Sequence, residues 1–478
     1  MSSLKKNFGY QIAYRILTVI TPLITSPIIS RALGADNLGI YSATQAFANY
    51  FMFVAMLGVE KYGQRTVAAA ESETDKQRLF WEIYSVQFAS SVFAVIAYYC
   101  VVLITAGERL QIELIQGLWV VSCLLDISWF FFAREEFKVT VTRNLIIKTL
   151  TVLCVVLFVR SPKDLLVYTL VMAGGTTLSQ LVLWGSLFRR IKIHRVNWKS
   201  VKVHVSPILK LFIPVIALSV YHIMDKSMLD LLSTEADVGW YYAVDKIVYI
   251  PLGLILALGT VMLSRMSYVL NNETQDKATQ LLDKSVELTM FVTCAVAFGV
   301  AAICKEFIPF FFGPGYEPCV ELMFLFLPVL LIKALGDVVR TQFLIAAWKD
   351  NIYTSAVISG AITNVIFNVL LIPHYGAKGA VLGTLAAEFV VLCVQVGGCR
   401  KDIPFIRFFI KHSIYIAIGA IMTGAVRFVV SIYRPSNTLI QIIYMIIIGA
   451  SVYLICCFIT WRIKSTSIFS PYIKRIFH

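Results

Sequence analysis

The strongest constraint on this chain is the recurrence of apolar runs long enough to cross a bilayer. A spanning helix needs about 20 predominantly apolar residues, and about fourteen such runs follow one another here, separated by short polar segments. The first two are expected near 12–30 and 40–59, the seventh and eighth near 206–230 and 240–263, and the tenth near 320–347. Of the 478 residues, 58% are hydrophobic and 15% charged, whereas a soluble domain carries about 25% charged residues. The fold class that follows is an all-α polytopic membrane protein. A net charge of +14 could signal a nucleic-acid partner. The basic residues, however, lie in the loops between apolar runs, so topology accounts for them and no nucleic acid is expected.

Lysine and arginine concentrate in alternate loops. The side of the N-terminus holds Lys61, Arg65, Arg134, Lys138, the run RRIKIHRVNWKSVK at 189–202, and Arg400 and Lys401. By the positive-inside rule this side is cytoplasmic, and both termini lie on it. The start, MSSLKKNFGYQIAYRIL, has a basic flank but no small-residue cleavage site, and is expected to remain as the first span. The ten cysteines show no metal-ligand spacing and most sit in apolar runs, where they act as small hydrophobes.

An internal repeat is visible. Ala35–Ala43 reads ADNLGIYSA and Glu235–Ala243 reads EADVGWYYA, so that Gly39 aligns with Gly239 and Tyr41 with Tyr241. Six spans separate the copies, which gives them the same orientation and implies parallel repeats about an axis along the membrane normal. The expected organisation is an N-terminal lobe over 1–188, a cytoplasmic basic linker over 189–205, a second lobe over 206–397, and a C-terminal helix pair with a cytoplasmic tail over 398–478. Within the linker, Val201, Val203 and Val205 alternate with Lys202 and His204, which fits either a solvated connection or an interfacial one.

Charges inside the apolar runs are the functional signal. A charged side chain at the centre of a membrane helix costs about 2.5–3.5 kcal/mol on insertion scales, so it faces a bundle interior or a wet cavity. Tyr221–Gly253 carries Asp225, Lys226, Asp230, Asp245 and Lys246, and the pattern Tyr-x-x-x-Asp-Lys occurs in it twice. At helical spacing Tyr221 shares a face with Asp225, and Tyr242 with Lys246 and Tyr249. Lys333, Asp337 and Arg340 follow at i, i+4 and i+7. Two cations around one acid suit an anion. Alternatively, the acid neutralises one cation while Arg340 snorkels to the interface. No phosphate loop, metal cluster or nucleophile–base arrangement occurs, so the chain is not expected to be an enzyme.

Several segments resemble a known family. DISWFFFAREEFK (126–138) is similar to the DxxWffxGxExf corner of Wzx-type bacterial flippases of polysaccharide units, with Ala133 where that family usually has glycine. RALGADNLGIY (31–41), MDKSMLDLLSTEADVGWYYAVDKIVYIP (224–251), FFGPGYEPCVELMFLFLPVLLIKALGDVVRTQFLIAAWK (311–349) and LIPHYGAKGAVLGTLAAEF (371–389) resemble its other signatures. The resemblance covers nearly the whole chain. It implies the multidrug/oligosaccharidyl-lipid/polysaccharide exporter superfamily, with two six-helix lobes in a V shape and two further C-terminal helices. It also implies transfer of undecaprenyl-diphosphate-linked oligosaccharide from the inner to the outer leaflet of the bacterial cytoplasmic membrane for surface polysaccharide.

On that reading Lys226, Lys246, Lys333 and Arg340, with Tyr221 and Tyr242, are candidates for the anionic headgroup, while Asp225, Asp245 and Asp337 set cavity polarity or couple a proton or sodium ion. Asp126, Trp129, Glu135, Phe137, Gly39, Tyr41, Gly239 and Tyr241 are family-signature residues with structural roles. No bound cofactor is expected. The expected partners are the lipid-linked substrate, membrane lipid, and a polymerase with its chain-length machinery, around a chain working as a monomer. Alternatives are a teichoic-acid or peptidoglycan precursor flippase, a MATE-type drug exporter, and a membrane sugar polymerase. The topology is testable in a cysteine-free background. A cysteine at Thr234 is expected to react with an impermeant maleimide added outside the cell, and one at Lys199 only after lysis; the reverse pattern inverts the orientation.

Overall fold

The computed structural model describes residues 2–105, 107–192, 194, 196–463 and 469; the side chains of 2–20, 213–222, 254, 257, 258, 260, 261, 264 and 271 fall outside the description. The described residues form helices and turns without a strand. In chain order the helices are α1 (Ser2–Met56), α2 (Val59–Ala68), α3 (Glu73–Thr105), α4 (Leu110–Leu125), α5 (Ser128–Ala133), α6 (Phe137–Phe158), α7 (Leu165–Leu187) and α8 (Trp198–Leu232). These are followed by α9 (Glu235–Asn272), α10 (Gln275–Phe312), α11 (Pro318–Asp337), α12 (Asp350–Tyr375), α13 (Ala377–Cys399), α14 (Phe405–His412), α15 (Ile414–Ile432) and α16 (Thr438–Ile463).

Among the described residues, ten helical segments are long and apolar enough to cross a membrane. The two arms of α1, together with α8 and α9, are further long helices, so the architecture is compatible with the fourteen spans expected. The chain is an all-α, multi-pass membrane protein. Backbone hydrogen bonding explains the choice: hydrocarbon offers no partner for a free N–H or C=O, and a helix satisfies its own.

Helix ends follow local chemistry. α1 is two helices run together, broken at Gly34, whose φ of 77° only glycine adopts without cost. Between α8 and α9, Ser233 and Thr234 both donate side-chain hydrogen bonds to Asp237, at 2.6 and 2.8 Å, and the Asp237 amide donates back to Thr234. A π-helical turn over Val338–Leu344 follows α11. All ten cysteines are free thiols.

The chain forms two compact units, Met1–Gly239 and Trp240–His478. In the first, α8 begins well inside the segment expected to be a linker. Asn197 caps it by accepting from the Lys199 amide at 3.0 Å. Val201, His204 and Ile208 form a buried stripe at helical rather than strand spacing. His204 holds the helix to its neighbours through Tyr62 Oη at 2.7 Å and Glu82 Oε2 at 3.1 Å. This part of the basic segment is thus helical, with burial at helical spacing rather than on every second residue. The second unit is centred on an apolar core including Met266, Met290, Phe343, Tyr415 and Tyr453. In it, α12 and α13 form a hairpin in which Gly379 and Gly383 admit the backbone of Leu371 and the side chain of Asn368.

The two copies of the repeat meet within the first unit. A Cβ on Gly39 would lie 1.8 Å from the Glu235 carbonyl oxygen, and one on Gly239 would lie 2.0 Å from that of Ala35. The backbones therefore touch, and only hydrogen fits between them. Each copy also uses its tyrosine in the same way. Tyr41 packs its ring on Tyr168 of α7 at 4.7 Å, and Tyr241 packs on Phe326 of α11 at 5.4 Å and meets Thr384 of α13 at 3.4 Å. Gly239→Ala is expected to cost about 1–3 kcal/mol through overpacking against backbone that cannot yield. Gly253→Ala, on the same helix with nothing within 4 Å, is expected to cost nothing. Thermal unfolding of the two purified variants compares them directly.

Candidate functional site

The charged stretch that stands out in the sequence divides between the units, Asp225 and Lys226 lying in the first and Asp245 and Lys246 in the second. In the first unit Asp225 is buried and Lys226 half-buried. At the next residue, the Tyr50 hydroxyl donates to Ser227 at 3.2 Å. Tyr221 lies outside the described side chains. Asp230 has a clear role: Arg109, just before α4, forks across the α8–α9 turn and binds Asp230 at 2.7 Å with one nitrogen and Glu235 at 2.8 Å with the other. A planar guanidinium suits this bridge, because it presents two donors at fixed separation.

In the second unit two lysines repeat one arrangement. Lys246 Nζ lies 3.5 Å from the Tyr242 hydroxyl one turn earlier on α9 and 5.2 Å from the centre of its ring. Lys333 Nζ, from α11, donates to the Tyr249 hydroxyl at 2.5 Å and lies 4.8 Å from that ring. Tyr242, Lys246 and Tyr249 recur at i, i+4 and i+7, so one face of α9 presents both modules. A ring face and a hydroxyl oxygen both attract an ammonium and offset part of its desolvation cost.

Lys333 has a further partner that was not expected from the sequence. Glu388 of α13 lies 3.1 Å from its ammonium, and the two side chains are 10% and 11% exposed. Glu388 is a single carboxylate in the apolar run AVLGTLAAEF, and the cost rule that selected Lys333 selects it equally well. Its pairing is a matter of tertiary structure.

Asp337 and Arg340 turn elsewhere. They form an ion pair with each other, and Thr341 donates to the same carboxylate at 2.8 Å. Asp337 is buried against Gly259, where a Cβ would come within 2.5 Å of its carboxylate oxygen. Lys333 and Asp337 thus address different partners, although their spacing would place them on one α-helical face. Tyr241 is buried in packing, while Asp245 is half-buried beside Lys246. Arg427, another cation inside an apolar run, is bound by both carboxylate oxygens of Glu306 at 2.8 and 2.9 Å.

The 126–138 corner is a structural joint. The Asp126 carboxylate accepts the Ser128 amide at 2.8 Å and starts α5. Trp129 is fully buried and donates to Gln87 at 3.0 Å, while Gln87 itself donates to the carbonyls of Cys123 and Asp126. Glu135 takes a positive φ of 56° that turns the chain into α6. Phe137 then packs on Phe132 at 5.9 Å. Among the described residues no group of three histidine, cysteine, aspartate or glutamate side chains could hold a metal ion.

A family model described as polysaccharide biosynthesis protein matches residues 4–269, and one described as the lipid II flippase MurJ matches residues 194–450. The chain belongs to the polysaccharide biosynthesis protein family. It is 22% identical over 397 residues to a Shigella dysenteriae protein named "Putative O-antigen transporter", covering 81% of this chain and 98% of that one. Among solved structures, the lipid II flippase MurJ in an inward closed conformation matches with a TM-score of 0.75 at 16% identity, over 95% of this chain and 98% of that one. An inward-facing multidrug resistance MATE transporter of the MOP superfamily matches with a TM-score of 0.63 at 12% identity, covering 84% of this chain and 98% of that one. At these identities the likeness establishes a shared fold.

The Lys333–Glu388 pair can be tested by double substitution. Lys333→Met alone leaves a buried carboxylate without its cation and is expected to cost about 3–5 kcal/mol, most of which Lys333→Met/Glu388→Met recovers. Thermal unfolding of the three proteins distinguishes this from simple loss of side-chain packing, which makes the double variant the least stable.

Proposed function

We propose that this protein is a flippase that moves lipid-diphosphate-linked oligosaccharide units from the inner to the outer leaflet for surface polysaccharide assembly. The observation that carries this reading is the pair of lysine–tyrosine modules in the second unit, placed on apolar helices of a family that makes polysaccharide. A diphosphate is the part of such a substrate that hydrocarbon rejects most strongly. It requires fixed cations whose own desolvation is already offset, and ammonium groups held against tyrosine rings and hydroxyls meet that need.

Lys246 and Lys333, with Tyr242, receive the headgroup in the second unit. Lys226, with Asp225 and Tyr221 near it in sequence, lines the route in the first, and Asp245 tunes the polarity beside Lys246. Arg340 and Asp337 neutralise each other and take no part in headgroup contact. The carrier is undecaprenyl diphosphate, the membrane is the bacterial cytoplasmic membrane, and both termini are cytoplasmic. Lobes over 1–188 and 206–397, joined by the basic segment 189–205 and followed by the 398–478 pair, alternate access around the substrate. The chain works as a monomer that hands its product to a polymerase and its chain-length machinery, with a proton or sodium ion driving the cycle. The work is transport, not bond-making.

A second reading, a peptidoglycan-precursor flippase, is favoured by the match of 194–450 to the MurJ model. It shares the diphosphate headgroup and differs in the sugar. Complementation separates the two readings, because rescue of a strain lacking MurJ supports the second and rescue of surface glycan in a strain lacking its own unit flippase supports the first. In the rescued strain, Lys226→Ala and Lys246→Ala are each expected to lower polymer export about tenfold or more, equivalent to about 1.4 kcal/mol, with membrane insertion and abundance unchanged. Unaltered export in both variants would overturn the role of the cations.

A further inference from the structure

We propose that α14 and the turns packed around it bind the headgroups of anionic phospholipid in the leaflet that borders this end of the second unit. This rests on the chain's place in a membrane and not on the flippase reading. It gives a role to cations that the transport path does not use.

The site begins with the sequence of α14, FIRFFIKH. Phe405, Phe408 and His412 are buried at i, i+3 and i+7, while Ile406 and Ile410 are 64% and 65% exposed on the opposite side of the helix. Side-chain pairs hold the helix in this attitude at both of its ends. Asp283 of α10 binds Lys411 at 2.5 Å and His412 at 2.9 Å. Asp402, just before α14, binds Lys349 at 2.6 Å, and its carbonyl accepts from Gln275 at 3.2 Å. These contacts bring the starts of α10 and α12 to the same end of the unit. Two isoleucines held outward in this way remain apolar surface unless lipid covers them, as it covers the apolar face of an interfacial helix.

Charge decides which lipid is preferred. Arg400, Lys401 and Arg407 are exposed, and among the described residues none of the three has an ion-pair partner. Arg407 follows Ile406, so a cation borders the outward apolar pair on α14. The carboxylates of this end do not cancel the excess. Asp402 and Asp283 are engaged as above, and Glu273 is held by Arg265 and Lys277. That leaves exposed Asp276 and Asp350 against Lys284 and the three cations. Trp348 adds an aromatic ring. It adjoins Lys349, is 83% exposed, and takes a φ of 57°, a region that favours glycine. An unpacked indole on such a backbone suits the membrane–water boundary, where tryptophan concentrates. Basic residues beside an apolar face at that boundary attract anionic headgroups, whereas a neutral lipid gains the apolar contact alone.

The test measures lipid selectivity at the surface of the purified full-length protein reconstituted in phosphatidylcholine. Electron spin resonance compares the motionally restricted fraction of spin-labelled phosphatidylglycerol with that of spin-labelled phosphatidylcholine. At low salt wild type is expected to favour phosphatidylglycerol by about twofold or more, and to lose most of that preference at high salt. Arg400→Gln/Lys401→Gln/Arg407→Gln is expected to bind the two lipids equally. Arg65→Gln/Lys138→Gln/Arg189→Gln removes the same charge from exposed positions of the first unit and is expected to keep most of the preference. All six substitutions fall on exposed side chains, and size-exclusion chromatography checks that both variants remain folded. Equal binding of the two lipids by wild type overturns the proposal. So does a preference that survives the first triple substitution, or one that the second abolishes to the same extent.

Discussion

Charge compensation in a medium that cannot solvate charge is the constraint on which this structure depends. Hydrocarbon lacks both water and counter-ions, so an ionised side chain on a spanning helix needs its partner supplied by the protein. The described residues meet that requirement repeatedly. Arg427 takes Glu306, Arg340 takes Asp337, and Lys333 takes Glu388, while at the α8–α9 turn Arg109 takes Asp230 and Glu235. Each pair joins segments separated in sequence, apart from Arg340 with Asp337, and so acts as a tie between helices. A pair of this kind is weak evidence for added stability, since well-packed apolar residues often do as well. What it adds is position, because a misplaced helix strands a charge.

Close backbone contact is the second organising feature. Gly39 and Gly239 leave no room for a side chain where the two repeat segments touch. Arg109 closes the α8–α9 turn from another direction, through the carboxylates that flank it. The repeat is therefore a packing device as well as a sequence pattern. The equivalent tyrosines Tyr41 and Tyr241 extend it, each anchoring its copy against later helices of its own unit.

Legibility in the sequence followed the range of the interaction. Apolar runs, the glycine–tyrosine repeat and the Asp126–Phe137 corner are contiguous patterns, and the all-α membrane class followed from them directly. The charged positions were also legible, because each stands out singly against an apolar background. Their pairing was not. Lys333 and Arg340 read alike in the sequence as cations beside Asp337, yet one is held by Glu388, 55 positions away by the numbering, and the other by Asp337 itself. The start of α8 was less legible for a local reason: Val201, Val203 and Val205 fall on every second residue, whereas burial falls on Val201, His204 and Ile208 once Tyr62 and Glu82 supply partners for the histidine.

The sequence by itself determined that this chain lives in a membrane as a helical, internally repeated protein, and that a few charges within it had to be functional or paired. That follows from hydropathy and spacing, which are properties of neighbouring residues. Only the tertiary structure decided which acid meets which base, and so which cations are neutralised in place and which rest on tyrosine. The energy of an ion pair in a low-dielectric interior depends on the distance between side chains brought together from different helices, and no local pattern encodes that distance.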